Sequence, residues 1–129
     1  MLKKISCTRA PIIWLLTIAL LVLASPTLAD ESDSVFDKQV APLLVQRCLD
    51  CHNASQQEGG LNLSRAVAAE AGGESGRVIE PGEPQESLLW QRVVSDEMPP
   101  EKALSTSEKA VLQKWIADGA KWGTDPIDP

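Results

Sequence analysis

Apolar residues gather into one long uninterrupted run near the start of the chain and into short clusters at helical spacing after it. Nowhere do they alternate over the length of a strand. The opening run, Pro11 to Ala24 (PIIWLLTIALLVLA), is uncharged and 14 residues long; Lys3, Lys4 and Arg9 precede it. Ser25 and Pro26 break it, and Thr27-Leu28-Ala29 follows with small residues suited to a cleavage site. A spanning helix needs about 20 residues, so residues 1–29 read as a signal peptide cut after Ala29. An uncleaved anchor from Pro11 to Ala29 is the alternative, since flanking residues can lengthen a short span. Both readings export the remainder, residues 30–129, to the periplasm or another compartment outside the cytoplasm, and only the second ties it to a membrane.

The clusters after the leader predict four helices. In Ser34 to Cys48 the residues Phe36, Val40, Leu43 and Leu44 share one face, with Ser34 as N-cap and Asp37 three residues on. Pro42 falls inside this pattern and is expected to kink the helix or end it early. Ser64 is read as the cap of a brief helix from Arg65 to Ala71, stopped by Gly72-Gly73. Pro84 suits a first helical position, and Leu88, Leu89, Val93 and Val94 recur on one face after it, with Trp90 alongside. Met98-Pro99-Pro100 must be irregular or extended, because each proline restricts the residue before it. Ser105 and Glu108 form a capping box ahead of Val111, Leu112, Trp115 and Ile116, and Gly119 supplies the stop. The expectation is one all-α domain over residues 30–129, with short helices and long Gly- and Pro-rich connections. A core built from these helices alone would be thin, and domains of this size often recruit a metal or cofactor to complete it.

Charge narrows the partners. After Ala29 there are 9 basic and 18 acidic residues, a net charge of −9. Nucleic acid is excluded, because phosphate binding needs a basic footprint that this composition lacks. The acidity serves solubility first, and any protein that docks electrostatically should present a basic face.

The chemistry lies in five residues, Cys48-Leu49-Asp50-Cys51-His52. Cys7 falls in the leader, so the exported part holds only this cysteine pair, and His52 is the one histidine in the chain. C-x-x-C-H is the haem-attachment pattern. Two thiols on one helical turn can form thioethers with the two vinyl groups on one edge of a porphyrin, which leaves the adjacent imidazole to ligate the iron. A structural zinc site wants four Cys or His ligands, and three are present. A thioredoxin-like dithiol wants a βαβ context that is missing, so a dithiol or disulfide is the weaker alternative. Cytochromes c commonly use a thioether as second axial ligand. Met98 is the only methionine apart from Met1; Pro99 and Pro100 stiffen its loop, and 46 positions separate it from His52. The candidate set is therefore Cys48, Cys51, His52 and Met98 around one covalent haem c, with His52 and Met98 on the iron. Trp90, Trp115 and Trp122 read as core, with an indole near a haem propionate as a lesser option, and Arg77 and Arg92 as solvated surface or propionate partners. Asp50 and Glu97 flank the ligands with no catalytic role assigned.

No nucleophile stands beside a free base, so a one-electron carrier is expected rather than an enzyme. A haem-based sensor or enzyme with an open iron position, and a binding module merely stapled by haem, stay open as alternatives.

The ordered motifs resemble those of the planctomycete-type cytochrome c module, a short haem domain found alone or at the front of larger exported proteins. The resemblance runs from about Phe36 to Trp122. It rests on Val40-x-Pro42-Leu43-Leu44, the Cys48 to His52 motif, Gly60-Leu61-x-Leu63, Gly72-Gly73-x-x-Gly76, Ile79-x-Pro81-Gly82-x-Pro84, Ser87-Leu88-Leu89, Met98-Pro99-Pro100 and Trp115-Ile116-x-x-Gly119-Ala120-x-Trp122. It implies a class I-like helical cytochrome c fold wrapped around the haem, with an axial methionine in the Met-Pro-Pro loop. Larger members continue into further domains, whose roles do not transfer to this chain.

Overall fold

The computed structural model describes residues 35–127; the leader over residues 1–29 and the Ser34 cap lie outside them. The described residues are helical with no strand, as the absence of alternation predicts. The first helical segment opens as a π-helical turn, Phe36–Val40, and continues as α1, Ala41–Arg47. Pro42 does not end it. The amide of Ala41 donates five residues back to the Phe36 carbonyl, and Pro42 occupies the start of α1, where a missing N–H costs nothing. The wider turn absorbs the proline, and Phe36, Val40, Leu43 and Leu44 are all buried as the periodicity requires.

A 3-10 turn at Glu58–Gly60 leads to the short α2, Ala66–Ala71. Ser64 does not cap α2: its hydroxyl donates to Asn62 Oδ1 at 2.8 Å, and Arg65 takes the cap position. The stop at Gly72 holds, with φ of 79°. Pro84 starts a separate 3-10 turn, Pro84–Glu86, and α3 runs from Leu88 to Val94. Buried Ser87 divides the two, its hydroxyl accepting from the Glu80 amide at 2.8 Å and lying 3.0 Å from the Glu83 carbonyl. α3 buries Leu89, Trp90 and Val93 and leaves Val94 48% exposed, against the expectation that Val94 shares the buried face: with Trp90 inward, the buried face is centred away from Val94.

The last helix, α4, Thr106–Ala117, packs against the π-helical turn, α3 and the Pro84–Glu86 turn. Phe36 meets Trp122 at 4.8 Å and Trp115 at 5.9 Å between ring centroids, and Trp115 Nε1 donates to the Lys121 carbonyl at 2.8 Å. This aromatic group joins the first helix to the last and to the segment after it.

The capping box at the start of α4 forms in full. Glu108 N donates to Ser105 Oγ, and Ser105 N donates to Glu108 Oε2 at 2.7 Å. The Ser105 backbone bond, then the Ser105 hydroxyl, and then the charges of Arg47 and Lys102 hold the Glu108 carboxyl below its usual range against a partial burial that acts the other way. A carboxylate with a lowered folded-state pKa stabilises the fold above its unfolded value and loses that contribution as pH falls through the folded one. Ser105→Ala should therefore cost about 1 kcal/mol near neutrality. Urea titrations of both proteins should show the difference shrinking as pH falls below the ordinary carboxylate range and through the lowered value of Glu108.

Candidate haem site

The turn that follows α1 is shaped by one buried side chain. Leu49 is fully buried, and its amide donates to the Leu44 carbonyl at 3.0 Å, as does that of Cys48 at 2.8 Å. With Leu49 committed to the core, its neighbours Cys48, Asp50, Cys51 and His52 line a cavity of about 380 Å³. The backbone of His52 is fixed at both ends: its amide donates to the Cys48 carbonyl at 3.0 Å, and its carbonyl accepts from Leu63 N at 2.8 Å. Asn53 locks the exit. Its Nδ2 donates to the Leu49 carbonyl at 2.7 Å, and its Oδ1 accepts from the amides of Ser55 and Gln56. Asn53 is a positioning residue that the pattern analysis missed; its place directly after the motif, with the turn-forming habit of asparagine, was the available signal.

Met98, Pro99 and Pro100 line the same cavity as His52 and the two cysteines. Leu61, Leu63, Val78, Leu88, Leu89 and Val93 add apolar wall. Two loops close in at one side, where Glu74 N donates to the Gly59 carbonyl at 2.8 Å. A Cβ on Gly73 would lie 2.4 Å from that carbonyl oxygen, so only glycine permits the approach. Charge is confined to a few groups, Arg47, Asp50, Glu58 and Arg92. The volume falls within the range of about 300–1,000 Å³ usual for cofactor and ligand sites, and a mostly apolar wall with a few placed polar groups is their usual character.

The residues fit a haem. The Nδ1 atom of His52 is buried without a hydrogen-bond partner among the described residues, which marks the site as incomplete with protein atoms alone. Both thiols are free of a disulfide and so available for thioether bonds. Burial pushes the Cys48 thiol up to about 11, against the opposing charge of Arg47. The Cys51 thiol is also raised, by desolvation and then by the negative charges of Glu58, Asp50 and Glu101. Redox-active dithiols lower their thiol pKa values to about 3.5–7.5, and this pair is shifted the opposite way. Among the described residues no group of three or more His, Cys, Asp or Glu side chains converges to hold a bare metal ion.

The remaining candidates separate clearly. Trp90 and Trp115 are buried, and none of Trp90, Trp115 and Trp122 lines the cavity, so the indole-to-propionate option has no support. Arg77 pairs with Glu80 at 3.8 Å away from the cavity, whereas Arg92 lines it and pairs with Glu97 at 2.8 Å. Arg47, not singled out by pattern, lines it as well. Among the described residues no helix is long and apolar enough to cross a membrane.

No curated protein and no solved structure matches the chain significantly. The family model of the Planctomycete cytochrome C matches residues 48–102, from the first cysteine of the motif to just past the Met-Pro-Pro loop. The further motifs over residues 36–47 and 103–122 lie outside the matched segment. Residues 48–102 are thus similar to the Planctomycete cytochrome C family, and the match points to a haem-binding c-type cytochrome.

Proposed function

We propose that this protein is an exported one-electron carrier with one covalent haem c, bound through Cys48 and Cys51 and ligated by His52 and Met98. The observation that carries the reading is the convergence of these four side chains, drawn from two segments 46 residues apart at the axial positions, on one apolar cavity. Haem supplies reversible one-electron chemistry between ferrous and ferric iron.

The chain's residues have separate tasks in this reading. Cys48 and Cys51 would tether the group by adding their S–H bonds across its two vinyl groups, sulfur to one carbon and hydrogen to the other. His52, held by two backbone hydrogen bonds, presents its imidazole to the iron. Met98 offers a soft sulfur from a loop stiffened by two prolines. The apolar walls and the two facing glycine loops exclude water and so help to set the potential. The fold is then that of a class I-like cytochrome c wrapped around its haem, with the helices positioning both ligand segments. Asp50, Glu58 and Glu101 stand near Cys51, and their charge favours a redox partner whose docking face is basic.

Protein secreted in cells that carry out haem attachment tests this directly. A redox titration should show one haem-centred step, and the native reduced protein should bind carbon monoxide slowly because both axial positions are filled. Rapid carbon monoxide binding would instead establish an open iron position and the chemistry of a sensor or enzyme.

A further inference from the structure

Met98 sits at the head of a loop with little to hold it. Its own amide donates to the Arg92 carbonyl at 3.1 Å, and six residues later Leu104 is buried in the core. Between these two anchors, among the described residues, the backbone of Pro99 to Ala103 is bonded by the side chain of Arg47. Its Nη2 donates to the carbonyls of Lys102 at 2.8 Å and Ala103 at 3.0 Å. Its Nε lies 3.6 Å from Glu108 Oε1, too far for a hydrogen bond but within ion-pair range. The Arg47 side chain is only 14% exposed, unusually covered for an arginine. Arg47 is also the last residue of α1, directly before Cys48. One guanidinium therefore links the end of the helix that delivers the cysteines and His52, the loop that carries Met98, and the capping box of α4.

We propose that Arg47 is a positioning residue that clamps the Met98 loop against the haem-attachment turn and so governs how firmly the sixth ligand is held. The proposal rests on the reading of Met98 as that ligand. Two charge-assisted bonds from a mostly covered guanidinium to consecutive loop carbonyls bias the loop toward its closed position. Losing them should shift the balance between bound and released sulfur by about tenfold. Geometry explains why arginine is used. Its planar head reaches two consecutive carbonyls and a carboxylate together, which a point charge on a shorter reach cannot fully reproduce.

The test uses the haem-loaded full chain and compares wild type with Arg47→Gln and Arg47→Lys, both of which keep a long side chain, and with Met98→Ala as reference. The ligand reading is checked first. Wild type should show the methionine-to-ferric-iron absorption band, and Met98→Ala should lose it. The clamp is checked by hydrogen exchange over residues 97–104 and by imidazole binding to the ferric protein, which requires an open sixth position. Arg47→Gln should raise exchange in that segment selectively, bind imidazole about tenfold more tightly and weaken the methionine band. Arg47→Lys should recover part of each change. Wild-type exchange and imidazole affinity in Arg47→Gln would overturn the proposal, and so would equal increases in exchange across α1 and α4, which would mark a general loss of stability. If the wild-type methionine band is absent, the ligand reading and this proposal's consequence for the iron both fall. Selective exchange over residues 97–104 would then still register the clamp on the loop.

Discussion

Replacing Cys48 and Cys51 together with serine should yield a protein whose intact mass lacks haem and whose helical signal no longer melts cooperatively. The first effect follows from the loss of both thioether bonds. The second follows from the cavity that the haem is expected to fill, about 380 Å³ lined largely by apolar side chains. At about 24 cal/mol per Å³ an unfilled space of that size costs roughly 9 kcal/mol. That figure is an upper bound for a cleft that water can enter. It is nonetheless comparable with the whole stability of a small domain, about 5–15 kcal/mol. Single substitutions should be milder, because one thioether and His52 still retain the group. Intact mass spectrometry and thermal melts followed by circular dichroism measure both consequences. Pigment that stays bound through denaturation in the double variant would show that attachment lies elsewhere in the chain.

The second large effect is expected from Met98→Ala. A thioether donates weakly to ferric iron and so favours the ferrous state, which raises the potential. Taking the sulfur away leaves the position to water or an added ligand, and the midpoint should fall on the order of 0.2 V, a fraction of the ~0.8 V that axial ligation spans. Carbon monoxide should then bind the reduced variant rapidly while wild type remains slow. The substitution removes a partly buried side chain that packs against the core, so some loss of stability should accompany it. The potential distinguishes the two roles: a core-filling methionine would alter the melting temperature and leave the midpoint unchanged. An unaltered midpoint and absorption spectrum would remove Met98 from the iron.

Local signals in the chain were sufficient for several features because each depends on residues within a turn of one another. The capping box of Ser105 and Glu108, the glycine stops at Gly72 and Gly119, and the buried faces of α1 and α4 all follow from side-chain spacing. The Cys48 to His52 motif is of the same kind, five consecutive residues whose chemistry is legible without a fold. Readings failed where a competing local bond or packing contact decided the outcome. Ser64 bonds Asn62 in preference to capping α2, and Val94 faces outward because the buried face of α3 takes in Trp90 along with Leu89 and Val93. Pro42 does interrupt the regular helix, but the interruption takes the form of a widened turn before it and the helix continues.

Residue identity and spacing by themselves predicted that residues 35–127 are helical, and they nominated Cys48, Cys51 and His52 as the haem-attachment motif with Met98 as the available sulfur. Only the tertiary structure decided that Met98 and His52 share a cavity, and that Arg47 reaches across 55 positions to the loop between them and α4. The physical reason is range. Helical periodicity, caps and attachment motifs are fixed by neighbours along the chain, whereas the meeting of two loops depends on how Phe36, Leu49 and Trp115 bury together, and no single segment encodes that.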